Sequence, residues 1–221
     1  VALSTFWKGA LAVGAALGVG AVITFWTRKA QAPEMPACIE MWALHHGGRR
    51  DMSRMRLIVL HSTEGNTAAG AAGWFQSPAS EGSAHIVVDD EECYRTLPDD
   101  AEPWAAKNAN HDGLHIELAG HALDDPKTGA LAYTREDWLS HGPMLSKAAG
   151  VIASWSKMYD IPLVFLDAEA LKRGERGVTT HYEITKAYAK GMGHSDPGPE
   201  FPLDVFLPLA GGEAPEMEIA A

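Results

Sequence analysis

The chain has 221 residues and a formal net charge of −11, from 18 Lys and Arg against 29 Asp and Glu. That balance offers no basic footprint for a phosphate backbone and excludes nucleic acid as a partner. There are two cysteines, Cys38 and Cys93, and no CxxC pair, which argues against a cysteine-built zinc site.

Gly9 to Trp26 carries no charged residue and is bracketed by Phe6, Trp7, Phe25 and Trp26. Such a run just suffices to cross the hydrocarbon layer as a helix, with aromatic rings at both interfaces. Residues 1–29 are therefore read as a transmembrane or signal-anchor segment. Two other readings stay open. Ala30-Gln31-Ala32 has the small-x-small form of a signal cleavage site, and a Gly-rich apolar helix also suits a soluble core. Lys8 opposes Arg28 and Lys29, so the positive-inside rule does not orient the segment. Ala10, Gly14 and Gly18 form a small-residue row through which two such helices could associate weakly.

Residues 30–52 read as a linker broken by Pro33, Pro36 and Gly47-Gly48. The plainer reading of the cysteines is two unpaired thiols; outside the cytoplasm a pair would tie this linker to the domain. Residues 53–209 then form one domain. Leu57 to Leu60 is a fully apolar run that suits a buried strand ending on His61. Thr67 to Gln76 is an Ala-rich helix closed by Ser77-Pro78. Ala84–Val88 and Cys93–Leu97 read as a hairpin around the acidic turn Asp89–Glu92.

Gly113 to Leu118 alternates Leu114, Ile116 and Leu118 with His115 and Glu117, which places the two polar residues on one face of a strand. Pro143 to Tyr159 repeats apolar residues at helical spacing. Pro162–Leu166 is a strand or extended approach, Ala168–Lys172 a short helix, and Pro202–Leu207 a last short helix. Residues 210–221 are small and acidic, the composition of a disordered tail. The expected architecture is an α/β domain with a central mixed β-sheet flanked by helices, preceded by the amino-terminal apolar helix.

Three patches carry side chains suited to a borderline metal: His61 after the apolar strand, His181 in Thr179-Thr180-His181, and Asp196 in His194-Ser195-Asp196-Pro197-Gly198-Pro199. Two histidines and a carboxylate are a ligand set of catalytic zinc that leaves a coordination position open. Glu117, at the end of an apolar strand, is placed as a general base. His194 is a competing ligand because it shares the loop of Asp196. Together these imply a metal-assisted hydrolase. The other histidines read more plainly. His85 packs or hydrogen-bonds beneath the site, His115 could touch a substrate, His45-His46 belongs to the linker, and His111, His121 and His141 are solvated loop residues. Trp74 and Trp104 could line a groove, although such residues are more often core.

From about Leu57 to Leu207 the chain resembles the zinc-dependent N-acetylmuramoyl-L-alanine amidases of the amidase-2 and peptidoglycan-recognition type, with closest similarity to the amidase domains of endolysins from phages of actinobacteria. The resemblance rests on Ile58-Val59-Leu60-His61-Ser62-Thr63, Ser83-Ala84-His85-Ile86-Val87-Val88-Asp89, Pro103-Trp104-Ala105-Ala106, the strand with Glu117, Gly177-Val178-Thr179-Thr180-His181 and the DPGP block, in the family's order. It implies that His61, His181 and Asp196 bind Zn2+, that Glu117 activates water, and that peptidoglycan is the substrate. His194 stands where many relatives carry Lys as an oxyanion stabiliser. A histidine there must be protonated, or donate an N–H, to do that work. Ala84 stands where some relatives use a catalytic Tyr, which leaves the chemistry to Glu117.

The expectation is a phage or prophage lysis amidase, anchored in the membrane with its catalytic domain facing the cell wall and releasable from it, or else secreted after cleavage of a leader. The alternatives are a non-catalytic peptidoglycan-binding module and a bacterial wall-remodelling or recycling amidase. In the binding class the ligands are usually lost, and here all three are present. An HExxH zinc peptidase is disfavoured because that motif is absent.

Overall fold

The computed structural model describes residues 33–189 and 193–212. The apolar segment at residues 1–29, its Ala10/Gly14/Gly18 row and the tail beyond residue 212 lie outside the described residues. Among the described residues no helix is long and apolar enough to cross a membrane.

A mixed six-stranded sheet forms the centre. Its strands are β1 (Ile39–Glu40), β2 (Leu57–Ser62), β3 (Ile86–Val88), β4 (Cys93–Arg95), β5 (Gly113–Leu118) and β6 (Gly177–Thr180), in the spatial order β1-β4-β3-β5-β2-β6. β3 and β4 pair antiparallel, as the hairpin pattern predicts; all other neighbours are parallel.

β2 shows why its run is apolar without interruption. Ile58 and Leu60 face one core with Leu114, Ile116, Trp155 and Phe206. Leu57 and Val59 face another with Leu166, Leu171 and Ile184. A parallel strand covered on both faces has no side to give to water.

Among the described residues six α-helices flank the sheet: α1 (Ala68–Phe75), α2 (Arg135–Ser140), α3 (Gly142–Tyr159), α4 (Ala168–Lys172), α5 (His181–Tyr188) and α6 (Leu203–Ala210). Their starts follow from capping chemistry. The side chains of Thr67, Asp167 and Thr180 each accept a backbone N–H of the first turn, and Thr134 with Asp137 forms a capping box. α3 buries Leu145, Ala148, Ala149, Ile152 and Trp155, the stripe its spacing predicts.

The stretch expected as a linker is, from residue 33, part of the fold. β1 adds to the sheet edge on β4, and the N–H groups of Met41, Ala43 and Leu44 donate to the carbonyls of Arg95, Thr96 and Phe75 at 3.0, 2.9 and 2.9 Å. Cys38 and Cys93 form a disulfide, which corrects the reading of two unpaired thiols. The physical reason is edge pairing: Ile39 lies opposite Tyr94, which brings the neighbouring cysteines together.

Candidate active site

Three adjacent parallel strands deliver the functional side chains at their carboxyl ends, where open α/β sheets bind ligands. His61 on β2 lies directly opposite Glu117 on β5. β6 runs beside β2 and ends at Thr180, so His181 begins α5 at the same sheet edge. Asp196 arrives from the loop after α5. Its carbonyl accepts the N–H of Tyr182 at 3.0 Å, which ties the loop to the first turn of the helix.

Asp196 sits between the two histidines. Its Oδ2 lies 3.1 Å from His61 Nδ1 and its Oδ1 lies 3.2 Å from His181 Nδ1. One ligand atom from each of the three residues falls within 4.8 Å of the others, and all three residues are buried. His194 is not in this cluster. Its ring stacks on His181 at 4.2 Å with 14° between planes, its side chain is 69% exposed, and its Nδ1 lies 3.5 Å from Asp196 Oδ1. Its backbone N–H donates to Thr185 Oγ1 at 3.2 Å.

The electrostatics follow from burial and proximity. Burial pushes the Glu117 carboxyl up to about 7, with Asp196 adding to the rise and His61 opposing it. Burial also works against an ionised Asp196, but hydrogen bonds from His181, His194 and His61 win and hold it far below the usual carboxylate range. Burial alone would lower His61; the Glu117 and Asp196 carboxylates outweigh it and raise it. His181 is lowered, chiefly by burial. His194 is raised, first by its hydrogen bond to Asp196.

Two imidazole nitrogens and a carboxylate oxygen converging in one buried spot suit a borderline divalent cation such as zinc. A further observation favours that fit: Glu117 Oε2 is buried beside the cluster and, among the described residues, has no hydrogen-bond partner. An orphaned carboxylate oxygen is costly unless something outside the chain pairs with it.

His61, Glu117, His181, His194 and Asp196 all line one open cleft of about 440 Å³, which Trp74 and Trp104 also line. Both tryptophans are substantially exposed, so they are cleft residues and not core.

Four histidines depart from their expected places. His45 stacks on Trp104 at 5.1 Å, and its Nε2 donates to the Pro78 carbonyl at 3.2 Å. His121 is buried and donates to Asn66 Oδ1 at 2.8 Å. His141 is half-buried against Asp90. His115 is fully buried, out of reach of a substrate, with its Nδ1 2.9 Å from His61 Nε2. The alternation of β5 already placed His115 on the Glu117 face, and that was the signal available for it. His85 lies beneath the site as expected, accepting the His115 backbone N–H on Nδ1 at 3.0 Å.

This α/β fold carries, at the carboxyl edge of its sheet, a His-His-Asp cluster that could hold a metal ion. The model of the family described as N-acetylmuramoyl-L-alanine amidase matches residues 51–199. The chain belongs to that family, amidase-2, and is an N-acetylmuramoyl-L-alanine amidase acting on peptidoglycan. It is 24% identical over 164 residues to N-acetylmuramoyl-L-alanine amidase A of Achromobacter lyticus, covering 70% of this chain and 82% of that protein. The crystal structure of the Staphylococcus aureus hydrolase AmiA in complex with its ligand shares the fold with a TM-score of 0.61. Identity there is 19%, over 82% of this chain and 89% of that one.

Proposed function

We propose that the chain is a zinc-dependent amidase that cleaves the bond between the lactyl group of N-acetylmuramic acid and L-alanine, and that it serves as a phage or prophage endolysin. The observation that carries the zinc reading is the convergence of His61, His181 and Asp196 beside the unpartnered Oε2 of Glu117. In this reading His61, His181 and Asp196 hold the ion. The chemistry zinc supplies when bound is Lewis acidity, which polarises a carbonyl and acidifies water.

The chain's own groups do the rest. Glu117 takes a proton from the attacking water and hands it to the leaving amine; a carboxyl raised to about 7 is matched to both steps near neutral pH. His194, exposed at the cleft and raised by Asp196, donates to the oxygen that gains negative charge. Asp196 stays ionised throughout, which keeps a fixed negative charge between the two histidines. Trp74 and Trp104 line the same cleft and offer exposed aromatic faces for the substrate to pack on. The lysis role rests on the apolar stretch Gly9–Trp26, which would hold the domain at the membrane facing the wall until release.

The test is digestion of purified peptidoglycan by the full-length protein, with products identified by mass spectrometry. Free stem peptides beginning with L-alanine, lost on chelation and restored by zinc, are the expected result. Cleavage that persists after exhaustive chelation would contradict the zinc reading, and products cut elsewhere would contradict the assigned bond.

A further inference from the structure

His61 has two ring nitrogens, and only one of them faces Asp196. The other, Nε2, is turned into the protein toward Nδ1 of His115 at 2.9 Å. Two neutral imidazole nitrogens can bond only if one carries the proton and the other a lone pair. The far side of His115 decides which. Its Nε2 lies 3.1 Å from the carbonyl oxygen of Ala109. A carbonyl only accepts, so the His115 proton sits on Nε2 and its Nδ1 carries the lone pair. His115 Nδ1 therefore accepts from His61 Nε2–H, so His61 Nδ1, which meets Asp196 Oδ2 at 3.1 Å, is the nitrogen left to give up its proton and ligate.

The surroundings hold this relay in place. The ring of His115 is fully buried, so water does not offer a competing partner. The backbone N–H of His115 donates to His85 Nδ1 at 3.0 Å, fixing the strand at that residue. Gly113 supplies the room: a Cβ there would stand 2.5 Å from the Ala109 oxygen and 2.9 Å from His115 Nε2. A side chain at 113 would push apart the bond that sets the proton.

We propose that His115 is a positioning residue for the metal centre: through the relay from the Ala109 carbonyl to His115 to His61, it fixes His61 in the tautomer whose Nδ1 can ligate. The proposal rests on the zinc reading above. A ligating histidine usually gives its second N–H to a carboxylate, a backbone carbonyl or water. Here a second imidazole, itself fixed by a carbonyl, takes that part.

The test is zinc affinity of the full-length protein, measured by competition with a chromophoric chelator. Loss of such an outer partner costs roughly 10- to 100-fold in affinity. His115→Leu, which removes the acceptor, is expected to weaken zinc by that much. His115→Asn, whose Oδ1 can accept near the place of Nδ1, is expected to recover most of it. Wild-type affinity in His115→Leu would overturn the proposal, as would a His115→Asn protein no better than His115→Leu. A wild type that takes up no zinc would instead remove the zinc reading itself.

Should His115→Leu fail to fold, long-range nitrogen–proton correlation spectra of the zinc-loaded wild type read the same point directly. Protons on Nε2 of both His61 and His115 support the relay. A proton on Nδ1 of His115 overturns it.

Discussion

In the proposed reaction, Glu117 and His194 divide the proton chemistry between a buried group and an exposed one. Glu117→Gln keeps the size of the side chain but removes its basicity. It is expected to lower kcat on peptidoglycan by roughly 10²- to 10⁴-fold, the usual worth of a positioned base, while zinc uptake stays near that of the wild type. Near-normal turnover in that variant would exclude Glu117 as the base. For His194 the sign of the pH effect is fixed by its partner. The Asp196 carboxylate raises its pKa, so the donating, protonated form is present at lower pH and is lost as pH rises through the raised value. The kcat/KM profile should therefore fall on its alkaline side, and His194→Lys should move that fall upward, since an ammonium keeps its proton longer. An alkaline limb unchanged by His194→Lys would assign it to another group.

Elements matter here through where they end. β2, β5 and α3 were legible because their apolar residues are numerous and periodic: a continuous run, a strict alternation and a three-four repeat. β6 was not, since Gly177-Val178-Thr179-Thr180 holds one large apolar residue and is a strand only because it pairs with Leu57 to Leu60. α5 was not, because it buries Glu183 and Thr185 next to Ile184; such a helix shows no apolar stripe. Its buried carboxylate is satisfied by Lys186 one turn on at 2.8 Å and by the Ala168 N–H at 2.8 Å, a partner from a different element that sequence pattern does not show.

His181 and Asp196 were thus legible as residues before the elements that place them. The junction of β6 and α5 makes an element-scale prediction. Thr180 Oγ1 accepts the Glu183 N–H at 3.2 Å at the residue before His181. Thr180→Val keeps the shape and removes the cap, and should cost about 1 kcal/mol and weaken zinc binding as the first turn loosens. Equal thermal midpoints and equal zinc affinities would show that the cap does not hold His181.

At the scale of the molecule, the segment 33–52 acts as a strap along the sheet edge. Cys38 and Cys93 are separated by 55 positions, and cross-linking a loop of that size removes unfolded-state entropy worth about 4 kcal/mol. Reduction should therefore lower the thermal midpoint by roughly 10 °C for a chain of this length; an unchanged midpoint would mean that strand pairing alone secures the strap. The same strap carries His45 onto Trp104 at the cleft wall. A linker composition concealed this, because Pro33, Pro36 and Gly47-Gly48 break regular structure without preventing edge pairing. The mixed sheet and its single domain were readable from patterns; the incorporation of residues 33–52 depended on one long-range covalent bond and on pairing with β4.

The claim on which the rest depends is that His61, His181 and Asp196 hold zinc, and elemental analysis of purified full-length protein tests it most directly. Wild type should carry zinc in equimolar amount after dialysis, and Asp196→Asn, which removes the charge between the histidines, should carry little or none. Zinc absent from the wild type, or retained in full by Asp196→Asn, would contradict the account.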